Sequence, residues 1–421
     1  MESRKLFLVR RMDADLPEIP EVAGLKLHGW DDNSGASYEW IMAGAGCSGV
    51  CDAENGEVFF AASYVTDVAT VTAVETDGET VEFRNWAIHP WQRGFHYGRY
   101  VMIHALCEMA KKGYKLAKLA LDAEAGVAIH AALALGFAPE KDDEETRKAC
   151  EDAEKKCAEL ALRRPKPMRL WEREAPYSTV NDFQPSMTPY PAEGSRGCVV
   201  VCPGGAYCIK ASHEGDTIAR MLNEAGISAF VLDYRVRPCH YEAPLSDAKR
   251  AIRLAKAMGY EKVGIMGFSA GGNLCCSAAT LYDEGDPAAE DPVDRISSRP
   301  DAFIPCYAVA SFLSWAHTGS AQALLGDHTG DRALLKRFSA ELNVTPDTPP
   351  AFIWHTMNDS AVPVQNSLNL ASALANAGVP CEMHIFPEGE HGLGVAAGDP
   401  VVGKWTGLCR EWLLRLGFGR Q

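Results

Sequence analysis

The sequence of 421 residues lacks any apolar run close to the roughly 18 residues that a membrane-spanning helix needs. It also lacks an excess of positive charge, because 41 Lys and Arg residues face 56 Asp and Glu residues and leave a net charge of −15. An acidic surface of this kind repels phosphate backbones, so we expect neither a nucleic acid nor a membrane as a partner. Residues 1–11 contain only four successive apolar residues, too few for the core of a signal peptide, and we expect a cytoplasmic protein.

The 14 cysteines lack the paired spacing that a zinc site requires. Cys47 and Cys51 stand close together, but no second Cys or His pair of suitable spacing lies nearby, so the sequence predicts no metal ligands. In a cytosolic chain we expect these thiols to be reduced and mostly buried. The hydrophobic fraction of 47% and the charged fraction of 23% are typical of a globular protein, and the length predicts two or three domains of roughly 150 residues each.

The pattern of the chain changes near residue 165. Before that point, runs rich in β-branched residues predict strands, Asp77-Gly78 predicts a hairpin turn, and longer periodic stretches predict helices. The predicted strands are residues 58–65, 68–75 and 80–88, and the predicted helices are residues 97–112 and 127–135. Residues 1–140 are therefore assigned to a first domain. Residues 141–166 carry opposite charges four residues apart and are predicted to form an amphipathic helix and a linker.

An extended stretch that contains Pro and Ser leads to Arg196, and from Gly197 onward short apolar runs alternate with helical stretches. The apolar runs are residues 198–202, 229–232, 263–266, 303–309, 352–355 and 382–386, and the helical stretches are residues 216–224, 246–257, 273–281 and 366–376. This alternation is typical of β-α-β units, so residues 167–421 are predicted to form an α/β domain with a mostly parallel sheet covered on both faces. We expect segments 283–299 and 311–343 to cover its pocket.

The most specific motif of this second domain is Gly-Phe-Ser-Ala-Gly at residues 267–271. It follows a predicted strand and precedes a predicted helix, which is the context that a G-x-S-x-G motif requires. The flanking glycines leave room for a sharp turn that exposes Ser269. The sequence therefore predicts Ser269 as a nucleophile and the amide of Ala270 as a donor to an oxyanion.

A second glycine-containing motif, Pro-Gly-Gly-Ala-Tyr at residues 203–207, follows the strand predicted at residues 198–202. Loops of this kind turn backbone N–H groups toward a ligand. Because the loop lies one strand–helix–strand unit before the serine motif, we expect the amides of Gly205 and Ala206 to complete an oxyanion hole. A simple tight turn is the alternative.

A base and an acid are expected after the serine, in the order Ser, Asp or Glu, His. His391 lies in a glycine-rich loop after the last predicted strand, and Asp359 follows the strand before it. The imidazole would accept the serine proton, and the carboxylate would hold the ring in the required tautomer. His355 and His384 lie within predicted strands and are expected to be packed or surface residues, while His213 would line the pocket mouth or cap a helix. Weaker candidates for the acid are Asp327, Glu388 and Glu390.

These motifs make residues 167–421 similar to the α/β-hydrolase superfamily, most of all to its acetyl xylan esterase-like and feruloyl esterase-like carbohydrate esterases. The other resembling stretches are residues 213–215, 298–301, 355–359 and 389–392. The resemblance implies a serine hydrolase that needs no cofactor and cleaves short-chain esters, often acetyl groups on sugars. It departs from many relatives at Ala206, where they carry a third glycine, although the backbone donor is kept. A peptidase of the same fold is the alternative activity.

A second resemblance concerns residues 1–140. Residues 86–99 join a predicted strand to a predicted helix, and glycines at such a helix N-terminus can present amides to a pyrophosphate. This stretch resembles the Arg-x-x-Gly-x-Gly loop of the GNAT family of N-acetyltransferases, and residues 128–137 resemble its closing helix and Leu-Gly-Phe turn. The resemblance implies an α+β GNAT-like domain with acetyl-CoA as co-substrate. The implied binding residues are Ala87, Ile88, Arg93, Gly94, Gly98 and Arg99.

The chain departs from the GNAT pattern at two positions. His96 replaces the middle glycine of the loop, and Ala132 stands where many members carry a tyrosine that protonates the leaving thiolate. Two functions remain open for this domain. It is either an acetyltransferase joined to an esterase, or an acyl-CoA-binding module that governs the esterase.

Overall fold

The computed structural model describes residues 5–12, 16–17, 26–28, 58–63, 67–88, 97–123, 125–163, 165–179, 183–397 and 399–420. The chain forms two compact units, Met1–Arg164 and Pro165–Gln421. Each unit has a sheet of its own. None of the helices in the described ranges is both long and apolar enough to cross a bilayer.

The first unit is built on a seven-stranded sheet with the order β2-β3-β4-β5-β6-β1-β7. Its strands are β1 (Lys5–Arg11), β2 (Lys26–His28), β3 (Val58–Ser63), β4 (Asp67–Asp77), β5 (Thr80–Ile88), β6 (Leu116–Asp122) and β7 (Ala138–Pro139). Its helices are α1 (Tyr97–Lys111), α2 (Gly126–Ala134) and α3 (Glu144–Arg163). The amphipathic helix expected after residue 140 is α3, which packs against α2 and buries Ala153 in the core of the first unit.

Strands β5 and β6 diverge along their length. They pair in parallel only from Thr80 opposite Leu116 to Phe83 opposite Leu119. Beyond that point β5 stays paired to β4 as far as Ile88, and β6 stays paired to β1. The sheet therefore opens between the carboxyl halves of these two strands. Near the end of β5, the indole N–H of Trp86 donates to the carbonyl of Gly98 in the first turn of α1 (2.7 Å).

The second unit contains an eight-stranded sheet with the order β15-β14-β13-β12-β10-β11-β9-β8. Its strands are β8 (Met168–Arg169), β9 (Ser186–Tyr190), β10 (Gly197–Cys202), β11 (Ser228–Asp233), β12 (Lys262–Phe268), β13 (Ala302–Cys306), β14 (Ala351–Thr356) and β15 (Cys381–Phe386). Its helices are α4 (Asp216–Glu224), α5 (Ala243–Ala257), α6 (Ser269–Thr280), α7 (Thr318–Leu325), α8 (Arg332–Arg337), α9 (Gln365–Asn376) and α10 (Lys404–Arg415). Strands β10 to β15 pair in parallel, while β8 and β9 are antiparallel additions at one edge.

The sheet of the second unit has a hydrophobic core on each face, and residues of the central strand β10 belong to both. Every residue of β10 is buried, because side chains that alternate along a strand face both sides of the sheet. Cys198 and Val200 pack with α5, α6 and α9, whereas Val199 and Val201 pack with α4 and α10. The expectation of a mostly parallel sheet covered on both faces is confirmed.

The segment at residues 283–299 corrects one expectation from the sequence. Helix α6 begins at Ser269 and runs back along the sheet, so the segment that follows it lies at the amino ends of the strands rather than over the pocket. The ammonium group of Lys256, near the end of α5, donates to the carbonyls of Ser297 (3.0 Å) and Arg299 (2.6 Å). The guanidinium of Arg250 binds the carboxylates of Asp291 and Asp294.

Candidate active site

The turn from β12 into α6 holds Ser269 in a strained position. Its φ is 52°, in the left-handed region that costs a residue with a side chain about 1–2 kcal/mol. A Cβ added at Gly267 would overlap the carbonyl oxygen of Gly271, and one at Gly271 would overlap that of Cys202. The two glycines therefore let strand and helix approach closely enough to force the bend at Ser269, which leaves its side chain partly exposed.

Ser269, His391 and Asp359 form one chain of hydrogen bonds. The Ser269 hydroxyl lies 2.8 Å from Nε2 of His391, and Nδ1 of His391 lies 2.6 Å from Oδ2 of Asp359. Because a carboxylate only accepts hydrogen bonds, the proton of the neutral ring is on Nδ1, and Nε2 is free to accept the serine proton. The Asp359 side chain has no exposed surface, whereas that of His391 keeps 21%.

The surroundings of Asp359 keep it ionised. Burial by itself would raise the pKa of this carboxyl, but hydrogen bonds from His355 and His391 outweigh burial and hold the pKa well below its ordinary value. Its other oxygen, Oδ1, accepts from the amides of Ala361 (2.9 Å) and Val362 (2.8 Å). A fixed negative charge thus faces Nδ1 of His391, where it stabilises a positively charged ring.

The loop at residues 203–206 lies directly against Ser269. A Cβ added at Gly204 would stand 3.1 Å from the Cβ of Ser269 and 2.7 Å from the carbonyl oxygen of Phe268. The next residues, Gly205 and Ala206, have φ values of 127° and 54° and turn the backbone sharply. Within the described chain, the amides of Gly205, Ala206 and Ala270 donate to no other protein group. The loop and the first turn of α6 are thereby arranged like an anion-binding nest beside the hydroxyl.

Of the acidic residues considered from the sequence, the structure brings only Asp359 to His391. Asp327 lies in a short 3₁₀ helix, Gly326–Gly330, and is exposed, as are Glu388 and Glu390. The order of the strands decides this choice, because β14 and β15 are neighbours and their carboxyl ends hold Asp359 and the His391 loop side by side.

The contacts of two buried residues of the site were not predicted from the sequence, although His355 was expected to be a packed or surface residue and Glu214 lies in the resembling stretch 213–215. His355, at the end of β14, is fully buried, and its Nε2 lies 3.0 Å from the carbonyl of Val362 and 3.2 Å from Oδ2 of Asp359. Glu214 lies in the 3₁₀ helix Ser212–Glu214 and is 2% exposed, with a carboxylate that accepts from the amide of Gly204 (2.6 Å). In the sequence, only the position of His355 four residues before Asp359 and that of Glu214 beside His213 could have indicated these contacts. Neither spacing is specific for an active site.

The segment that follows β13 borders the site. The amide of Val309 donates to the carbonyl of Ser269 (3.0 Å), and the segment continues to Trp315, whose carbonyl accepts from the buried Asn366 side chain (2.9 Å). Trp315 has a φ of 58° and is 56% exposed. Burial lowers the pKa of the nearby His317, and the charge of His391 lowers it further, so this segment lies within electrostatic reach of the imidazole. Trp315 is thus an exposed aromatic residue of a segment that contacts Ser269 through Val309.

Four of the residues that the GNAT resemblance singles out are described, at the end of β5 and the start of α1 in the first unit. Ala87 is buried, Ile88 is partly buried, Gly98 is buried and Arg99 is exposed. The remaining candidates, Arg93 and Gly94, lie outside the described residues, as do His96, Cys47 and Cys51.

Comparisons with known proteins concern the second unit. Residues 187–374, which lie within the second unit, match the family model BD-FAE. The chain is 38% identical over 252 residues to endo-1,4-beta-xylanase B of Butyrivibrio fibrisolvens, a match that covers 56% of this chain and 39% of that protein. It is 33% identical over 215 residues to an acetylxylan esterase of Xylanibacter ruminicola, covering 48% of this chain and 42% of that protein. The chain thus spans about two fifths of the length of these curated relatives.

A solved structure matches over nearly its whole length. The acetyl ester-xyloside bifunctional hydrolase from Caldicellulosiruptor lactoaceticus is 45% identical, with a TM-score of 0.59, and the match covers 61% of this chain and 98% of that one. The sheet order, the bend at Ser269 and these matches lead to the same assignment. The second unit of this chain has the α/β-hydrolase fold, and residues 187–374 within it match the BD-FAE family model.

Proposed function

We propose that the second unit is a serine carboxylesterase that hydrolyses short-chain esters of carbohydrates, acetyl esters above all. The observation that carries this proposal is the hydrogen-bonded chain from Ser269 through His391 to Asp359. A hydroxyl, an imidazole and an ionised carboxylate in this order are the parts that turn an alcohol into a nucleophile.

In the proposed mechanism, Oγ of Ser269 attacks the ester carbonyl while its proton passes to Nε2 of His391. The oxygen of the tetrahedral intermediate becomes negative and is bound by the amides of Gly205, Ala206 and Ala270. His391 then returns the proton to the leaving alcohol, and the C–O bond breaks to leave an acyl-serine. Water attacks this ester by the same route and releases the acid. Loss of one oxyanion donor costs about 3 kcal/mol in such sites.

Two observations support a carbohydrate as the alcohol part. Among the relatives are an acetylxylan esterase and an acetyl ester-xyloside hydrolase. In addition, Trp315 is exposed in the segment whose Val309 amide donates to the carbonyl of Ser269. A flat aromatic face at the mouth of a site packs well against the apolar face of a sugar ring.

The decisive experiment is the Ser269→Ala variant. We expect kcat for p-nitrophenyl acetate to fall by at least about 1,000-fold, because the nucleophile is lost. The melting temperature should stay at that of the parent chain or rise, since the substitution removes no contact of the core. Hydrolysis that persists in the folded variant would exclude Ser269 as the nucleophile and reject the proposal. Acetylated xylo-oligosaccharides compared with longer acyl esters then define the substrate.

For the first unit we propose binding of acetyl-CoA as a second function. The opening between β5 and β6 beyond Phe83 and Leu119 favours it, because strands that part at the start of a helix leave room for an extended arm whose phosphates meet the helix N-terminus. Calorimetry of the full chain with acetyl-CoA tests this. Binding with acetyl transfer to an amine indicates a transferase, binding without transfer indicates a regulatory module, and the absence of binding rejects both.

A further inference from the structure

The carboxylate of Glu214 lies between two loops that reach Ser269 from different sides. It follows β10 in the chain and is buried, with 3% of the side chain exposed. One oxygen accepts from the amide of Gly204 (2.6 Å), in the loop that carries the candidate oxyanion donors. The other accepts from the hydroxyl of Tyr307 (2.5 Å), a residue 93 positions away along the chain.

Tyr307 extends this connection to the loop of His391. Its hydroxyl accepts from the amide of Gly394 (2.9 Å), three residues after His391, and its ring packs edge-on against the imidazole with centroids 5.0 Å apart. The ring is 2% exposed, and burial raises the pKa of the phenol well above its ordinary value, followed by the effect of the Glu214 charge. The hydroxyl therefore remains protonated and donates to Glu214.

The neighbouring residue His213 makes a parallel link. Its Nε2 lies 2.8 Å from the carbonyl of Gly392, and a Cβ added at Gly394 would stand 2.9 Å from its ring. The 3₁₀ helix Ser212–Glu214 is thus in contact with both sides of the site: the Gly204 loop on one side, and the segment from Gly392 to Gly394 on the other.

We propose that Glu214, acting through Tyr307, is a positioning residue that holds the oxyanion amides and His391 at their working separation. This inference rests on the proposed esterase function. Neither side chain touches the reacting atoms. Their contacts set where the amides of residues 205–206 and the imidazole lie relative to Ser269, and a displacement of about 1 Å in such groups can lower a rate 100-fold. A buried carboxylate is costly unless it is hydrogen-bonded, and each oxygen of Glu214 accepts a hydrogen bond from a different loop beside Ser269.

Two variants test the connection in the full-length chain. Glu214→Gln keeps the shape but can accept only one of the two donors, and Tyr307→Phe removes only the hydroxyl. We expect each to lower kcat for p-nitrophenyl acetate by about 10- to 100-fold, while KM changes by less than about twofold, because ground-state binding is untouched. Both substitutions break the same chain of contacts. The kcat of the double variant should therefore be no lower than that of the slower single variant.

Ser228→Ala serves as the matched control, and Ser269→Ala serves as the reference for loss of the esterase function itself. Ser228→Ala removes a buried hydroxyl that accepts from the amide of Ala192 (3.0 Å) at the start of β11, far along the strand from the site, and should leave kcat unchanged. Unchanged kcat in both Glu214→Gln and Tyr307→Phe, or losses that simply multiply in the double variant, would overturn the proposal. If Glu214→Gln fails to fold, Tyr307→Phe decides alone. Activity that persists in Ser269→Ala would reject the esterase function itself, a separate outcome.

Discussion

Asp359 is the residue on which the electrostatics of the site depend. Four hydrogen-bonding groups face its two oxygens, two of them amides and two of them imidazoles. Burial opposes the charge, yet the hydrogen bonds keep its pKa below the ordinary value. An acid with a depressed pKa stabilises the folded state fully above its unfolded pKa of about 3.9 and loses that contribution as the pH falls through the folded value.

The Asp359→Asn variant tests two roles of Asp359, one in catalysis and one in the stability of the folded state. We expect kcat to fall by about 10,000-fold, because an amide can fix the imidazole in the wrong tautomer. The free energy of unfolding should also fall, by an amount that is constant from pH 8 to 5 and shrinks below about pH 4. Urea denaturation at several pH values measures the second effect.

Asp331→Asn is the matched control for that variant. Oδ1 of Asp331 also accepts from two backbone amides, those of Ala333 (2.8 Å) and Leu334 (3.4 Å). Unlike Asp359, Asp331 is exposed, at the start of α8. It should leave kcat unchanged. A stability difference between parent and Asp359→Asn that grows in acid would contradict the assigned charge state.

Trp315 is the residue that we expect to recognise the sugar. Trp315→Ala should raise KM for an acetylated xylo-oligosaccharide by about 3- to 10-fold, the equivalent of about 1 kcal/mol of ring stacking. The value of kcat/KM for ethyl acetate, which has no ring, should not change. Met258→Ala, at an exposed methionine just beyond α5, serves as the control. Equal losses on both substrates would instead indicate a general role for Trp315 in the fold of its segment.

At the scale of elements, the site depends on how closely α6 approaches the strands that flank β12. Gly271 lies in the first turn of α6, and an added Cβ would overlap the carbonyl oxygens of Cys202 and Pro203. The methyl group would push the helix away from β10 and from the loop at residues 203–206. The bend at Ser269 is therefore a property of the packed strand–helix pair and not of Ser269 alone.

Gly271→Ala should destabilise the second unit by about 1–3 kcal/mol, the usual cost of overpacking, and lower kcat together with stability. Gly407→Ala tests the same substitution within helix α10, where an added Cβ meets no atom within 4 Å. There we expect a gain of up to about 1 kcal/mol from helix propensity. Thermal unfolding followed by circular dichroism compares the two. An unchanged melting temperature in Gly271→Ala would contradict the close approach.

At the scale of the whole molecule, the chain consists of two units with separate sheets and cores. The triad candidates, the loop at residues 203–206 and Glu214 all lie in Pro165–Gln421. The hydrolase from Caldicellulosiruptor lactoaceticus is matched over 98% of its length by 61% of this chain, so a unit of about this size folds by itself in a relative. These observations favour an esterase that needs only the second unit.

A fragment of residues 165–421 should retain kcat/KM for p-nitrophenyl acetate within about threefold of the full chain, a change of less than 1 kcal/mol in the barrier. The steady-state kinetics of the two proteins, purified in parallel, provide the measurement. Gel filtration and circular dichroism establish that the fragment is folded. A folded fragment with little activity would mean that the first unit contributes to the site.

Those features of this protein that depend on neighbouring residues could be predicted from the sequence. The alternation of apolar runs and helices specified a mostly parallel sheet, and the glycines around Ser269 marked the bend between a strand and a helix, because both patterns arise from neighbours in the chain. Asp359 and His391 were predicted because each follows a predicted strand. In the structure Nδ1 of His391 lies 2.6 Å from Oδ2 of Asp359.

Which distant groups meet depends on the fold of the whole second unit. The contact between Glu214 and Tyr307 joins residues 93 positions apart, and that between His391 and Ser269 joins residues 122 apart. Such contacts follow from the order and register of the strands, which no local pattern encodes. The same reason explains why segment 283–299 was wrongly assigned to the pocket. Its place depends on the direction in which α6 leaves Ser269, and its composition does not reveal that direction.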